Sequence, residues 1–155
     1  MNKTIDLHVH STASDGTFTP SELVAEAKRC GLSAFALTDH DTVDGVSEAL
    51  TAGKASGLDV IPGVELSTEY NGTEIHVVGL FIDPENTELQ AGLAKFRDNR
   101  DNRNLKMVEK LQEEGFQITA EDLYRLNPDT VVARPHIARY LVDSGQVKDL
   151  KTVFD

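Results

Sequence analysis

Cysteine is almost absent from this chain of 155 residues, in which Cys30 stands alone. No disulfide can form within the chain, and a reducing cytoplasm is the compartment that this composition predicts. The lack of paired cysteines also excludes a structural zinc site built from thiolates. A metal ion in this protein would therefore need imidazole or carboxylate ligands.

Long apolar runs are missing as well. The N-terminal segment MNKTID lacks the apolar stretch of a signal peptide, and no run approaches the roughly 20 apolar residues of a membrane span. We therefore expect neither secretion nor membrane insertion. Hydrophobic residues still make up 39% of the chain, which is enough for the core of one domain with a small appended subdomain.

Positive charge is scarce, because 15 Lys and Arg residues stand against 26 Asp and Glu residues, for a net charge of -11. Nucleic-acid backbones are bound by basic surfaces, so this balance argues against such binding through bulk electrostatics. An anionic substrate would need local positive charge, which divalent cations gathered by carboxylates would supply. For acidic residues scattered over the surface, solubility is the simpler explanation.

The first part of the chain alternates strand and helix patterns. The predicted elements are strand 4–9, a helix from Pro20 up to Gly31, strand 33–38, helix 44–56 and strand 58–61. This order predicts βαβ units and a parallel sheet, and hence an α/β fold. Segments 64–70 and 74–82 follow as strands, and Asn71-Gly72 between them predicts a hairpin.

Beyond residue 85 the pattern favours helices. The stretch 87–114 is long and charged, and shorter helices are predicted at 120–126 and 135–144. We therefore divide the chain into an α/β part, residues 1–85, and a helical subdomain or insertion, residues 86–155.

Histidines and carboxylates lie where the predicted strands end. The candidate metal ligands are His8, His10, Asp15, His40, Glu65 and His76. Residues two apart on a strand share a face, so His8 and His10 can hold one ion while Ile5, Leu7 and Val9 pack on the opposite side. A single histidine near a strand end is usually hydrogen-bonded packing, but the joint placement predicts a multinuclear site for Mn²⁺, Fe²⁺ or Zn²⁺.

The clusters also suggest individual roles. Glu65 is the candidate bridging carboxylate, because it can offer one oxygen to each of two ions. Asp15 is either a ligand or only a turn residue. Asp39 is predicted to orient a ligating imidazole, and Asp41 or Thr42 is predicted to cap the following helix rather than to bind metal.

Two or three adjacent ions would activate water, neutralise the oxygens of an anionic substrate and stabilise in-line displacement at phosphorus. Asp15, His40 and Glu65 are the candidate catalytic residues of such a site. Proline at the helix start near Arg134 and His136 leaves backbone N–H groups that could receive a phosphate with these two side chains. A plain helix start with an exposed arginine explains the same segment equally well.

With these residues in place, the sequence closely resembles the PHP superfamily, named for polymerase and histidinol phosphatase domains. The stretches that carry the resemblance are DLHVHSTASDG (6–16), LTDHDT (37–42), IPGVE (61–65) and EIHVVG (74–79). Within the superfamily the chain looks most like bacterial stand-alone phosphoesterases that act on nucleoside 5′-monophosphates and 3′,5′-bisphosphates. The segment ARPHIAR (133–139) supports that subgroup.

The resemblance implies a partial distorted (β/α)7 barrel with a helical insertion subdomain and two or three divalent ions. By position, the six candidate ligands match family metal ligands, and Arg134 and His136 match an insertion segment that approaches the substrate phosphate. The implied function is metal-dependent hydrolysis of a nucleotide phosphate ester, with a nucleotide or short oligonucleotide as partner. The alternatives are a histidinol-phosphatase-like phosphomonoesterase and a non-catalytic metal-binding fragment or module.

Members of that family continue beyond the point at which this sequence ends. Their later residues supply further strands, another ligand histidine and a late Asp-x-His pair. The resemblance therefore implies an incomplete metal shell here, and open sheet edges that would favour self-association.

Overall fold

The computed structural model describes residues 4–154, which form four strands and six helices. The strands are β1 (Thr4–Val9), β2 (Leu32–Leu37), β3 (Asp59–Tyr70) and β4 (Thr73–Leu80). The helices are α1 (Pro20–Arg29), α2 (Val46–Ser56), α3 (Thr87–Glu113), α4 (Ala120–Leu126), α5 (Arg134–Asp143) and α6 (Leu150–Phe154). One compact unit extends to Phe96 and a second begins at Arg97.

The strands form one sheet in the order β1-β2-β3-β4. β1 and β3 both pair with β2 in parallel, and β4 pairs with β3 antiparallel. The βαβ pattern and the Asn-Gly turn therefore predicted the pairings correctly. The mixed α/β class is confirmed.

β3 is one continuous strand, where the sequence suggested two. It pairs with β2 over residues 59–62 and with β4 over residues 63–70, so the strand changes its partner without a break. Pro62 is tolerated because it is the last residue of β3 that pairs with β2. Its carbonyl accepts a hydrogen bond from the Ile82 N–H. β4 ends at Leu80 because the next residue, Phe81, has a φ of 57°.

Helix α1 forms as its sequence predicts. Thr19 accepts a hydrogen bond from the Glu22 N–H, and the Glu22 carboxylate accepts one from the Thr19 N–H, which completes a capping box. Leu23, Val24 and Ala27 on its apolar face are buried in the core of the first unit. The helix thereby covers one side of the sheet that carries the histidines.

The predicted packing of β1 is wrong in part. Ile5 is 52% exposed and Leu7 is 38% exposed, and only Val9 packs against the core of the first unit. β1 is the outer strand of the sheet, with β2 as its one neighbour among the described residues. The alternation of apolar and polar residues predicts which side chains share a face of the strand. Those side chains are buried only where another element of the structure packs against that face. Self-association through this edge stays a prediction.

The second unit has its own core, built from Val108, Ile118, Leu123, Ile137 and Leu141. The amide of Asn104 is 1% exposed and donates a hydrogen bond to the Val132 carbonyl at 2.9 Å, which joins α3 to the segment before α5. Among residues 4–154, no helix combines the length and apolar character needed to cross a membrane.

The hydrogen bond between the Tyr124 hydroxyl and the Asp101 carboxylate allows the packing of the second unit to be tested. Burial, together with a 2.6 Å hydrogen bond to Asp101, raises the pKa of Tyr124 from 10.0 to about 12. We expect Tyr124→Phe to lower the free energy of unfolding at pH 7 by about 1–2 kcal/mol. Because the pKa is raised on folding, this stabilisation is present below pH 10 and is lost as the pH rises through about 12.

Urea unfolding of the two proteins, with a tyrosinate absorbance titration, measures both effects. Tyr70→Phe is the matched control, because Tyr70 is 69% exposed. Equal stability of Tyr124→Phe and the wild type would contradict the expectation.

Candidate metal site

All six predicted ligands lie in the first compact unit, and the sheet brings them together. Their placements are His8 on β1, His10 and Asp15 after it, His40 after β2, Glu65 on β3 and His76 on β4. An isolated parallel bridge pairs His40 with Glu65, so the segment after β2 continues alongside β3. On β4, His76 lies opposite Ser67, which shares a face of β3 with Glu65.

Glu65 lies at the centre of the cluster. Its Oε2 is 2.7 Å from Nε2 of His8 and 2.9 Å from Nε2 of His10, and its Oε1 is 2.7 Å from Nδ1 of His76. His40 approaches the same carboxylate, with Nδ1 3.6 Å from Oε2. The two oxygens thus face different histidines, which is the arrangement expected of a bridging carboxylate.

Asp15 forms a second carboxylate position. Its Oδ1 lies 3.5 Å from Nδ1 of His10, and its Oδ2 lies 3.7 Å from Nε2 of His40. Because Asp15 faces two histidines, the structure favours its interpretation as a ligand over that of a turn residue only.

The six side chains form three overlapping groups that could each hold an ion. The groups are His8–His10–Glu65, His10–Asp15–His40 and His40–Glu65–His76, with the ligand atoms of each within 4.8 Å of one another. Imidazole nitrogens and carboxylate oxygens are a donor set that fits Zn²⁺, Fe²⁺ or Mn²⁺. The residues present therefore fit the divalent ions that the sequence predicts.

The imidazole rings form a continuous row. Ring centroids are 5.0 Å apart for His8 and His10, 4.6 Å for His10 and His40, and 5.0 Å for His40 and His76. Exposure changes along this row, since the side chain of His8 is 51% exposed, whereas those of His10, His40 and His76 are 21%, 11% and 27% exposed. Within the first unit, the cluster is therefore more open to solvent at His8.

The charge of Glu65 is stabilised by its neighbours. Burial raises its pKa, but hydrogen bonds from His8 and His76 and the charges of His40 and His8 lower it, and the net effect is a lowered pKa. The carboxylate consequently stays ionised near neutral pH, as a metal ligand must be.

Two residues outside the predicted set form hydrogen bonds with candidate ligand residues. Oε1 of Glu74 lies 3.1 Å from Nε2 of His76, on the side of the ring away from Glu65. Oδ1 of Asp6 accepts a hydrogen bond from the backbone N–H of His8 at 3.1 Å, where the register of β1 against β2 shifts. Each lies two residues before a candidate ligand on a strand, and this i, i+2 spacing is the signal that could have found them.

The direct contact predicted between Asp39 and a ligating imidazole is wrong. Its carboxylate does not contact an imidazole, but accepts hydrogen bonds from Ser11 and Ser14. The prediction assumed that a side chain beside His40 in sequence also lies beside it in space. The helix-capping role of Asp41 or Thr42 is wrong too, because α2 begins at Val46 and its N-cap is Gly45.

Asp41 and Thr42 instead bind other segments. Asp41 is fully buried, with a φ of 53°, and its Oδ1 accepts a hydrogen bond from the Ser67 N–H at 2.8 Å. Thr42 Oγ1 accepts one from the Asp44 N–H at 3.1 Å. Asp41 thereby fastens the segment after β2 to β3, two residues beyond Glu65.

Arg134 and His136 belong to the second compact unit, in the first turn of α5. Nδ1 of the buried His136 accepts a hydrogen bond from the Ala133 N–H at 2.9 Å, so this side chain caps its own helix. Arg134 is exposed. This is the geometry of a helix start, while the binding of a phosphate by these two residues stays a prediction.

Comparison with known proteins places these features in context. A family model described as PHP domain matches residues 6–154. A 5′-3′ exoribonuclease of Haemophilus influenzae is 42% identical over 149 residues, which are 96% of this chain and 54% of that protein. A 3′,5′-nucleoside bisphosphate phosphatase of Chromobacterium violaceum is 41% identical over 152 residues, which are 97% of this chain and 53% of that protein.

A solved structure shares the fold. It is a putative metal-dependent phosphoesterase from Bifidobacterium adolescentis, similar with a TM-score of 0.88 and 34% identity over 98% of this chain and 54% of that chain. The chain spans about half the length of the curated relatives it matches.

Proposed function

The chain belongs to the PHP domain family, and from this membership and the geometry of its metal site we propose that the whole protein is a metal-dependent phosphoesterase acting on nucleotide phosphate esters. The substrate class is a nucleoside 5′-monophosphate or 3′,5′-bisphosphate. The bisphosphatase name of the Chromobacterium violaceum relative supports this choice.

One observation carries the proposal: the two oxygens of Glu65 face different histidines, with His8 and His10 at Oε2 and His76 at Oε1. A carboxylate so placed can connect two ions. We propose that His8, His10, Asp15, His40, Glu65 and His76 hold two or three ions, with Asp15, His40 and Glu65 nearest the reacting phosphate. Such ions, when bound, activate water and neutralise phosphate oxygens.

The side chains have distinct tasks in this proposal. Glu65 enters the site already ionised and so supplies negative charge without losing a proton. Glu74 holds the ring of His76 through Nε2 and keeps Nδ1 directed at the site. Divalent ions would supply the positive charge that a protein of net charge -11 otherwise lacks for an anionic substrate.

The second unit and the complete fold enter as further proposals. We propose that residues 86–155 form a helical insertion in a (β/α)7 barrel, of which the sheet β1–β4 is one part. Arg134 and His136 are the proposed substrate-phosphate ligands on that insertion. A short oligonucleotide is the second candidate substrate, because the Haemophilus influenzae relative is named an exoribonuclease.

Phosphate release tests the proposal. The whole protein, purified without chelator and supplied with Mn²⁺, should hydrolyse adenosine 3′,5′-bisphosphate or AMP faster than histidinol phosphate. A 5′-phosphorylated tetraribonucleotide serves as the third substrate, and its preferential cleavage would favour the second candidate.

In the same assay, His10→Ala should remove turnover while the protein keeps its circular dichroism and its thermal unfolding transition. The reason is that His10 belongs to two of the three candidate metal groups. Chelation of the wild type and renewed addition of Mn²⁺ provide the control. Undiminished Mn²⁺-dependent phosphate release by His10→Ala would rule out the assignment.

A further inference from the structure

A buried carboxylate with no contact to the histidines lies directly before His40. Asp39 is 2% exposed. Its Oδ1 accepts hydrogen bonds from the Ser11 N–H at 2.7 Å and from the Ser14 hydroxyl at 2.6 Å, and its Oδ2 accepts one from the Ser11 hydroxyl at 2.6 Å. Three bonds to one buried carboxylate are charge-assisted and hold their donors firmly in place.

Those donors belong to the loop that joins His10 to Asp15. Inside the loop, the Ser11 carbonyl accepts hydrogen bonds from the N–H groups of Ser14 and Gly16, and the Ser11 hydroxyl accepts one from the Ala13 N–H. Ser11 is thus the residue on which the loop closes. Because Asp39 binds Ser11 through both its backbone and its hydroxyl, it fixes the loop that carries Asp15.

Ser14 connects Asp39 to a second ligand. Its hydroxyl has one proton, which it donates to Asp39, and its oxygen lies 3.4 Å from Nδ1 of His10. Nε2 of the same ring lies 2.9 Å from Glu65. The Ser14 hydroxyl therefore connects the Asp39 carboxylate to the His10 imidazole, and this connection limits the rotation of the His10 ring.

The backbone of Asp39 contacts the other side of the site. Its carbonyl accepts a hydrogen bond from the Glu65 N–H at 3.1 Å. A single residue thus binds the Asp15 loop through its side chain and the Glu65 strand through its main chain.

We propose that Asp39 is a positioning residue for the His10–Asp15–His40 group, and that it sets the affinity of this group for a divalent ion. The inference rests on the proposed metal site. In this proposal the negatively charged carboxylate of Asp39 holds Asp15 and His10 in place, and it does not bind the ion itself.

Co²⁺ titration of the 155-residue chain, followed by its visible absorption, tests the proposal. In Asp39→Asn, one equivalent should bind about 10- to 100-fold more weakly than in the wild type, and the remaining binding should be unchanged. Asparagine keeps the size of the side chain and one acceptor oxygen, so the variant should fold, as far-UV circular dichroism will show. Ser14→Ala, which removes one of the three bonds to Asp39 and with it the link from Asp39 to His10, should weaken the same equivalent.

A double-variant comparison separates positioning from general support of the structure. If Asp39 acts through Asp15, Asp39→Asn should have no further effect on Co²⁺ binding in an Asp15→Asn background. Asp44→Asn is the control, because Asp44 is exposed and belongs to none of the three metal groups. That variant should leave the Asp15-dependent equivalent unchanged.

Three results would overturn the proposal. Equal Co²⁺ binding by Asp39→Asn and the wild type would remove the inference and leave the metal site standing. Further weakening of all equivalents in the Asp15→Asn background would assign Asp39 a structural role only. A wild-type chain that binds no Co²⁺ would overturn the metal site together with the inference.

Discussion

Glu65→Gln should deprive the chain of metal binding and the whole protein of phosphatase activity. Glutamine has nearly the same shape as glutamate, but it is neutral and offers one acceptor oxygen beside an NH₂ donor. Oε1 and Oε2 face different histidines in the native site, so an amide cannot serve both sides. The loss of metal affinity should exceed the roughly 10- to 100-fold that follows the change of an outer hydrogen-bond partner.

Elemental analysis after dialysis against Mn²⁺ or Zn²⁺ measures this loss directly. Glu69→Gln is the matched control, because Glu69 lies on the same face of β3, is exposed and belongs to none of the three metal groups. The control should keep the metal content of the wild type. Equal metal content in Glu65→Gln would show that Glu65 is not a ligand.

Gly16→Ala is expected to have the largest effect on stability. A Cβ at this position would lie 2.1 Å from the His10 carbonyl oxygen, 2.5 Å from the His10 carbonyl carbon and 2.8 Å from the Ser11 carbonyl carbon. All three atoms belong to the backbone, so no rotation of a side chain relieves the contact. The loop must open, and we expect a loss of about 3 kcal/mol in the free energy of unfolding.

The same movement would displace Asp15, so Gly16→Ala should also weaken metal binding. Urea unfolding and Co²⁺ titration measure the two losses. Gly92→Ala is the control, since Gly92 lies in α3 with no atom within 4 Å of an added Cβ. That change should stabilise the helix by up to about 1 kcal/mol. A Gly16→Ala protein as stable as the wild type would show that residue 16 does not lie so close to the backbone of His10 and Ser11.

The parts of the fold that local signals specify were predictable. Thr19 and Glu22 form the capping box that their spacing indicates. Asn71 and Gly72 have φ angles of 51° and 76°, which the predicted two-residue hairpin turn requires. In each case the residues that decide the structure are neighbours in the sequence.

The errors arose where the outcome depends on distant segments. The exposure of Ile5 and Leu7 is set by what covers β1, and the strand itself holds no information about that. The continuity of β3 through Pro62 depends on the exchange of one partner strand for another. The short helix α6 was missed, since five residues give too short a pattern to detect.

The candidate metal site likewise has features that the sequence predicts and features that depend on distant segments. The meeting of His10, His40 and Glu65 was predictable, because side chains at the ends of parallel strands share an edge of the sheet. The partners of Asp39 and Asp41 were not predictable, because a buried carboxylate can accept bonds from any loop that reaches it. The conformation of the loop after His10 decides that Asp39 binds Ser11 and Ser14.

The order of the ligands along the chain has a consequence for biosynthesis. The last of them, His76, is followed by 79 residues of this sequence, and all six lie in the first compact unit. Ribosomes add roughly 5–20 residues per second, so these six residues are synthesised roughly 4–16 s before residue 155. These six side chains can therefore meet metal ions during translation, before synthesis of the second compact unit is complete.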